Sequence, residues 1–152
     1  MTVRRTFPPV PMIGVGAVVL RGASVLLIKR ARPPRQGEWS LPGGLQKLGE
    51  TVFAAAAREV LEETGVTCTP LAVVEVIDLI EREPASSQVR YHYTLIDVVA
   101  TWTAGEPRAA ADALDARWVA CAETPQLIAW PETLRVIRCA QQMRTAQPPS
   151  AD

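Results

Sequence analysis

Three carboxylates, Glu59, Glu62 and Glu63, stand in the segment AAAAREVLEETG at residues 54–65, directly after an alanine run. At helical spacing Glu59 neighbours both Glu62 and Glu63, so like charges repel across one and a half turns. A helix that serves only as scaffold has no reason to keep that cost. Arg58 lies four residues before Glu62, within reach of an ion pair that holds that carboxylate in place. On a helical wheel Phe53, Ala56, Ala57, Val60 and Thr64 make the buried face, with Glu59 and Glu63 in line on its flank and Glu62 beside them. Three convergent carboxylates beside a packed face form an oxygen-rich site for a hard divalent cation. The plainer alternative is a solvated acidic face. The preceding WSLPGGLQKLGE weighs against it, because Pro42-Gly43-Gly44 and then Gly49-Glu50 lead into the helix. Adjacent glycines permit positive φ and leave a backbone carbonyl or amide open to a ligand.

The elements that must position these groups alternate between strand and helix. Residues 12–20 form an apolar run, RGAS at 21–24 a turn, and 25–30 a second strand, which together predict a hairpin. ARPPRQG at 31–37, with two prolines and a glycine, cannot be regular structure. Thr51 is placed to cap a helix that runs to about Thr64, with Gly65 at its C-terminal stop. Residues 71–80 and 89–102 are rich in Val, Ile, Tyr and Thr and read as two strands joined across EREPASSQ. A short strand at 117–121 and a last helix from Pro131 to about Arg144 complete the order. This pattern predicts an α/β fold, a mixed β-sheet sandwiched between helices. We divide the chain into an N-terminal extension at 1–9, a single domain at 10–146 and a flexible tail at 147–152.

Composition excludes several classes. Sixteen basic and sixteen acidic residues cancel, and a pI near 6.6 gives no pull toward nucleic acid or an anionic membrane. Cys68, Cys121 and Cys139 are odd in number, far apart and without a CxxC pair, so they read as small apolar residues in a reducing cytoplasm. His92 is the lone histidine, which argues against a His-rich metal centre. Twin arginines before the apolar run imitate an export signal, but Pro8, Pro9 and Pro11 crowd its start and Arg21 ends it far short of a membrane span. Gly14 and Gly16 in GVGAVV imitate a dinucleotide fingerprint, yet the third glycine is missing and a strand follows where a helix is required.

From Gly44 to Val66 the sequence GLQKLGETVFAAAAREVLEETGV resembles the signature of the Nudix hydrolases, with every defined position filled at the right spacing. The flanking LLIKR and GEWSLPGG and the order of elements extend the resemblance to most of the domain. The resemblance implies a Nudix-type α/β/α sandwich that cleaves within the diphosphate of a nucleoside diphosphate derivative, using Mg²⁺ or Mn²⁺. It implies that Glu59, Glu62 and Glu63 bind metal, with Glu59 also able to serve as base and the Gly43 carbonyl as a further ligand. Glu50, Gly44 and Arg58 then orient the ligands. Such a cation would neutralise the phosphates and lower the pKa of the attacking water. Relieving the carboxylate repulsion is the expected reason for keeping it.

Family members often draw another carboxylate from a later loop, and GEPRAAADALDARWV offers Glu106, Asp112 and Asp115. We favour Asp112, six residues before the Trp of the next strand, as some nucleotide-pool-cleansing members have it. Relatives resembling ADP-ribose pyrophosphatases often have two adjacent acids here, where this chain has Ala111-Asp112. Lys29, Arg30, Arg32 and Arg35 cluster before QGEWS. At least two are expected to be solvated, and Arg30 and Arg32 are assigned to phosphate oxygens. Trp39, Tyr91, Tyr93 and Trp102 are candidates to stack on a base, Trp39 foremost. Trp118 and Trp130 are expected to be structural. The pattern from GEWSLPGG to DARWV resembles ADP-ribose pyrophosphatase-like members, so the expected substrate is ADP-ribose or a related ADP-sugar, giving AMP and a sugar phosphate. A MutT-like nucleoside triphosphate pyrophosphohydrolase is the alternative, and a non-catalytic nucleotide-binding module a third, against which the intact motif speaks. The expected partner is a small nucleotide, with neither nucleic acid nor membrane. The apolar 71–80 strand is a place where two copies could pair as a homodimer.

Overall fold

MIGVGAVVLR has almost no polar interruption, the pattern of a strand covered on both faces, and Met12–Arg21 is the central strand β1. The computed structural model describes residues 3–146; the tail assigned to 147–152 lies outside them. Gly22 at φ +57 turns the chain into β2 (Ser24–Arg30), which pairs antiparallel with the end of β1. β1 and β2 then diverge. The two short strands β3 (Trp39–Ser40) and β4 (Gly43–Leu45) fill the fork, β3 on β2 and β4 on β1. Helix α1 (Val52–Thr64) follows, then β5 (Thr67–Arg82) and β6 (Val89–Ala104), paired antiparallel across the polar segment the sequence marks as their turn.

β6 returns beside β1 in parallel, which makes the sheet mixed, in the order β3-β2-β1-β6-β5. β7 (Ala113–Ala120) starts earlier than the strand expected at 117–121 and pairs along the whole of β2. A single 3₁₀ turn, the short α2 (Thr124–Leu127) and α3 (Pro131–Ala146) close the chain. Alternation along the strands sends one set of side chains to each face. Val15, Ala17, Val19, Val98 and Ala100 pack with Ala55, Ala56 and Val60 of α1. Val18, Leu20, Leu27 and Val99 pack with Val136, Ile137 and Ala140 of α3. The result is an α/β sandwich with α1 on one face and α3 on the other.

Residues ahead of β1 are tied to the domain, with Phe7 N–H donating to the Arg90 carbonyl at 2.8 Å. β5 is an edge strand whose outward Val73, Val76 and Ile80 are exposed, the face on which the expectation of pairing rests. His92 is half-buried between the buried Tyr91 and Tyr93, on the opposite face from both. No helix among the described residues is long and apolar enough to cross a membrane.

Candidate active site

Thr51 caps α1 by accepting from Ala54 N–H at 3.1 Å, and Gly65 ends it at φ +74. The helix is rotated relative to the wheel expectation. Phe53 is exposed and Ala57 half-buried, while Ala55, Ala56, Val60, Glu63 and Thr64 are the buried positions. Glu63 is therefore not on the flank; it is in the packed face, only 3% exposed. What permits this is a backbone donor: Gly43 N–H gives Glu63 Oε1 a hydrogen bond of 2.7 Å. One N–H does not replace the water a carboxylate loses. Burial pushes the Glu63 carboxyl up to about 7, with the Glu59 charge adding to the rise against the Gly43 bond.

Gly44 has the same local cause. A Cβ there would collide with the Glu59 carboxylate, and one on Gly43 with the Val15 carbonyl, so the paired glycines let α1 carboxylates approach β4 backbone. Arg58 organises the rest. It holds Glu50 through two bonds of 2.6 and 2.9 Å, Glu59 at 2.8 Å, Glu62 at 3.1 Å and the Leu45 carbonyl at 3.0 Å. The expected Arg58–Glu62 pair is present, yet Glu50 is the bidentate partner, and this guanidinium keeps the Glu50 carboxyl down at about 2. The three helix carboxylates do not converge as expected. No group of three His, Cys, Asp or Glu side chains among the described residues stands close enough to hold an ion. Glu59 and Glu62 turn to the Arg58 cation and Glu63 to the Gly43 amide, because opposite charge outcompetes convergence of like charge.

Lysine offers one point charge where Arg58 offers a planar fork. Arg58→Lys is therefore expected to lower activity about 10–100-fold with the fold intact, since partners that orient ligands typically carry that much. Turnover near wild type, with unchanged far-UV circular dichroism, would show that the fork organises nothing.

The later loop hangs on the C-terminal end of α1. Arg108 N–H and Ala110 N–H donate to the carbonyls of Thr64 and Glu63, which would otherwise lack intrahelical partners. Ala31 N–H donates to the Asp112 carbonyl at 3.1 Å, which ties this loop to the one leaving β2. Asp112 thus lands at the same pocket as Glu59 and Glu63, paired with Arg32 at 3.0 Å. The other two acids go elsewhere. Glu106 pairs with Arg21 at 2.8 Å, and Asp115 is taken by Arg117 at 2.7 Å and the Ala116 amide.

Arg30, Arg32 and Arg35 line this pocket, more of the cluster than the sequence led us to expect. Arg30 is half-buried and donates to the Pro34 carbonyl at 2.7 Å; desolvation lowers its pKa while Glu63 opposes that. Trp39 does not line the pocket. It packs on the α3-side core beneath the Arg117 guanidinium at 4.5 Å, because β3 pairing with β2 turns it there. The tryptophan at the pocket is Trp130, which the sequence reading gave only a structural role, with Arg35 stacked on its ring at 4.7 Å.

The cavity holds roughly 1070 Å³ of open space continuous with solvent and draws its lining from both faces of the sheet. On the α1 side are Glu59, Glu63 and Asp112. On the α3 side are Tyr93, Leu95 and Asp97 of β6 with Trp130 and Thr133. Asp97 and Thr133 were not among the residues the sequence singled out. One sign was available: Asp97 interrupts TLIDVVA, an otherwise apolar stretch of a covered strand. The glycines of GVG also acquire a purpose. A Cβ on Gly14 would meet Leu95 Cδ2 at 2.8 Å, and one on Gly16 would collide with the Asp97 carboxylate.

A divalent cation fits this donor set by chemistry. The acids at the α1 end are hard oxygen ligands, and the charges of Glu59 and Asp112 both raise the proton affinity of the buried Glu63. Glu62, with a side chain 45% exposed and one bond to Arg58, is free to swing toward them.

Residues 10–138 match the NUDIX domain family. An ADP-ribose pyrophosphatase of Methanocaldococcus jannaschii is 32% identical over 117 residues, which cover 77% of this chain and 66% of that protein. A Mycobacterium tuberculosis protein provisionally named 8-oxo-dGTP diphosphatase 2 is 39% identical over 113 residues, covering 73% of this chain and 74% of its own length. The crystal structure of a MutT NUDIX hydrolase from Burkholderia pseudomallei aligns with a TM-score of 0.71 at 31% identity, covering 85% of this chain and 97% of that one.

Proposed function

The chain belongs to the Nudix hydrolase family, and on that premise we propose that its pocket hydrolyses the diphosphate linkage of a nucleoside diphosphate derivative with a divalent cation, Mg²⁺ or Mn²⁺. The observation that carries this reading is the opposition, across one cavity, of acids at the half-buried Glu59 and the buried Glu63 and of arginines at Arg30, Arg32 and Arg35. Acids alone would repel a diphosphate, and arginines alone would bind it without activating water.

Glu59, Glu62, Glu63 and the Gly43 carbonyl would hold the cation, which when bound offsets charge on the diphosphate and lowers the pKa of the attacking water. Glu50 and Arg58 keep the Glu59 carboxylate in place, and Gly44 leaves it room. Arg30 and Arg32 bind phosphate oxygens and fix the phosphorus in line with the water. Asp112 accepts the proton of that water, with Glu59 as the other base the geometry allows.

ADP-ribose or a related ADP-sugar is the substrate favoured by similarity to the archaeal pyrophosphatase. The higher identity to the mycobacterial relative favours a second reading, a nucleoside triphosphate cut to monophosphate and pyrophosphate. A panel of nucleotides turned over in heavy-oxygen water tests the reaction and separates the two by their products. The label is expected on a phosphorus of one product in either case. Label on a sugar hydroxyl would mean C–O cleavage, for which acids placed at a diphosphate have no use, and would overturn the assignment.

A further inference from the structure

Asp97 is 7% exposed, and no described residue donates a hydrogen bond to its carboxylate. Arg135 of α3, which reaches Glu75 beside Asp97 on the neighbouring strand, is committed to that glutamate through two bonds of 2.7 and 3.2 Å. Native structures seldom leave a buried carboxylate without donors, because desolvation costs more than packing returns. Its oxygens face the α3-side lobe of the cavity, whose walls are Tyr93, Leu95, Leu41 and Trp130 and whose other buried polar side chain is Thr133. An apolar slot with two convergent polar side chains is what a flat heterocycle with hydrogen-bonding edges requires. The Gly16 position reinforces this, since the absent Cβ is what lets the Asp97 carboxylate lie against β1.

We propose that Asp97 is a specificity residue that reads the Watson–Crick edge of a guanine-type base, accepting its N1–H and 2-amino hydrogens and so selecting guanine over adenine nucleotides. The inference rests on the nucleotide-pocket reading above and, at the base, decides between its two substrates, for a guanine nucleoside triphosphate and against ADP-ribose. A carboxylate presents two acceptors side by side, and guanine presents two donors at matching separation. Adenine offers one amino group flanked by ring nitrogens that are themselves acceptors, so one carboxylate oxygen would face a lone pair. Burial, and then the charge of Glu75, push the Asp97 carboxyl up to about 6, so it is ionised at neutral pH and demands donors.

The test is calorimetric titration of the chelator-treated protein with GMP and with AMP, repeated on Asp97→Asn. Wild type is expected to bind GMP about 10–100-fold more tightly than AMP, the value of hydrogen bonds to a charged acceptor, and the variant to bring that ratio close to one by weakening GMP alone. A wild-type ratio near one, a preference for AMP, failure to bind GMP, or a ratio unchanged in the variant would each overturn the assignment. The wild-type ratio stands whether or not the variant folds. Binding is read without turnover, so hydrolysis without base preference removes only the role of Asp97. Base preference without hydrolysis of any nucleoside diphosphate derivative removes only the reaction.

Discussion

Replacing Glu63 by glutamine is expected to cut turnover by about three orders of magnitude, the scale of losing several kcal/mol of charge stabilisation from a site that activates water. The same change is expected to make the chelator-treated protein more stable, and the sign follows from burial. In the fold the Glu63 carboxyl lies near 7, against an ordinary 4.5, because it is desolvated. A raised carboxyl favours the protonated folded state, so its contribution is fully present below about pH 4.5 and is lost as pH rises through about 7. Each tenfold in proton affinity is worth about 1.4 kcal/mol, so wild type gives up about 3 kcal/mol over that interval. Glutamine never ionises and its carbonyl still accepts from Gly43 N–H, so the variant gives up none of it. Asp97 also titrates in this range but is present in both proteins and cancels. Urea unfolding with chelator at pH 4.5 and pH 8 should show no gain at the lower pH and a gain at the higher. A pH-independent difference, or wild-type turnover, would remove Glu63 from the cation site.

The parts of this site that lie close together in sequence were legible from it. Thr51 and Gly65 mark the ends of α1 because caps are local chemistry, and the spacing of Glu50, Arg58, Glu59 and Glu62 survives as one network. Asp112 was identified through resemblance, and the loop amides on α1 explain why it lands beside Glu63. The helix face was misjudged because a wheel weighs side chains by polarity, whereas one backbone donor from β4 was enough to bury a glutamate and leave Phe53 at the surface. Trp130 reads from sequence as structural, and Thr133 and Asp97 do not stand out as site residues, for a different reason. They come from α3, the turn before it and β6, and meet the glutamates only because β6 lies parallel to β1 and α3 folds back over it. No local pattern encodes that meeting.

A two-ended cavity also divides the labour between affinity and chemistry. The α3-side lobe gains nothing in the transition state that it lacks in the bound substrate, so changes there should act mainly on binding. Under the proposed reaction, charge and proton movement belong to the α1 end, where changes should appear in kcat.

Asp112→Asn is accordingly expected to lower kcat by about 10²–10⁴-fold, the usual contribution of a positioned general base, with KM little altered. Asp115→Asn should change kcat hardly at all. The two aspartates are three residues apart in sequence, so composition and net charge do not distinguish them; placement does. Asp112 faces Glu63 across the cavity with its carboxylate held by Arg32, while Asp115 sits in β7 with its oxygens taken by Arg117 and the Ala116 amide. Ala111, at φ +50, takes a left-handed backbone that a side chain normally avoids, immediately before the residue that must point inward. If Asp112 accepts the proton, the loss should fall on kcat and Arg32→Ala should act mainly on KM. If it serves only to hold Arg32, Arg32→Ala should reproduce the defect. Equal and small effects of Asp112→Asn and Asp115→Asn would instead assign the base to Glu59, whose carboxylate lies against Gly44 and is held by Arg58.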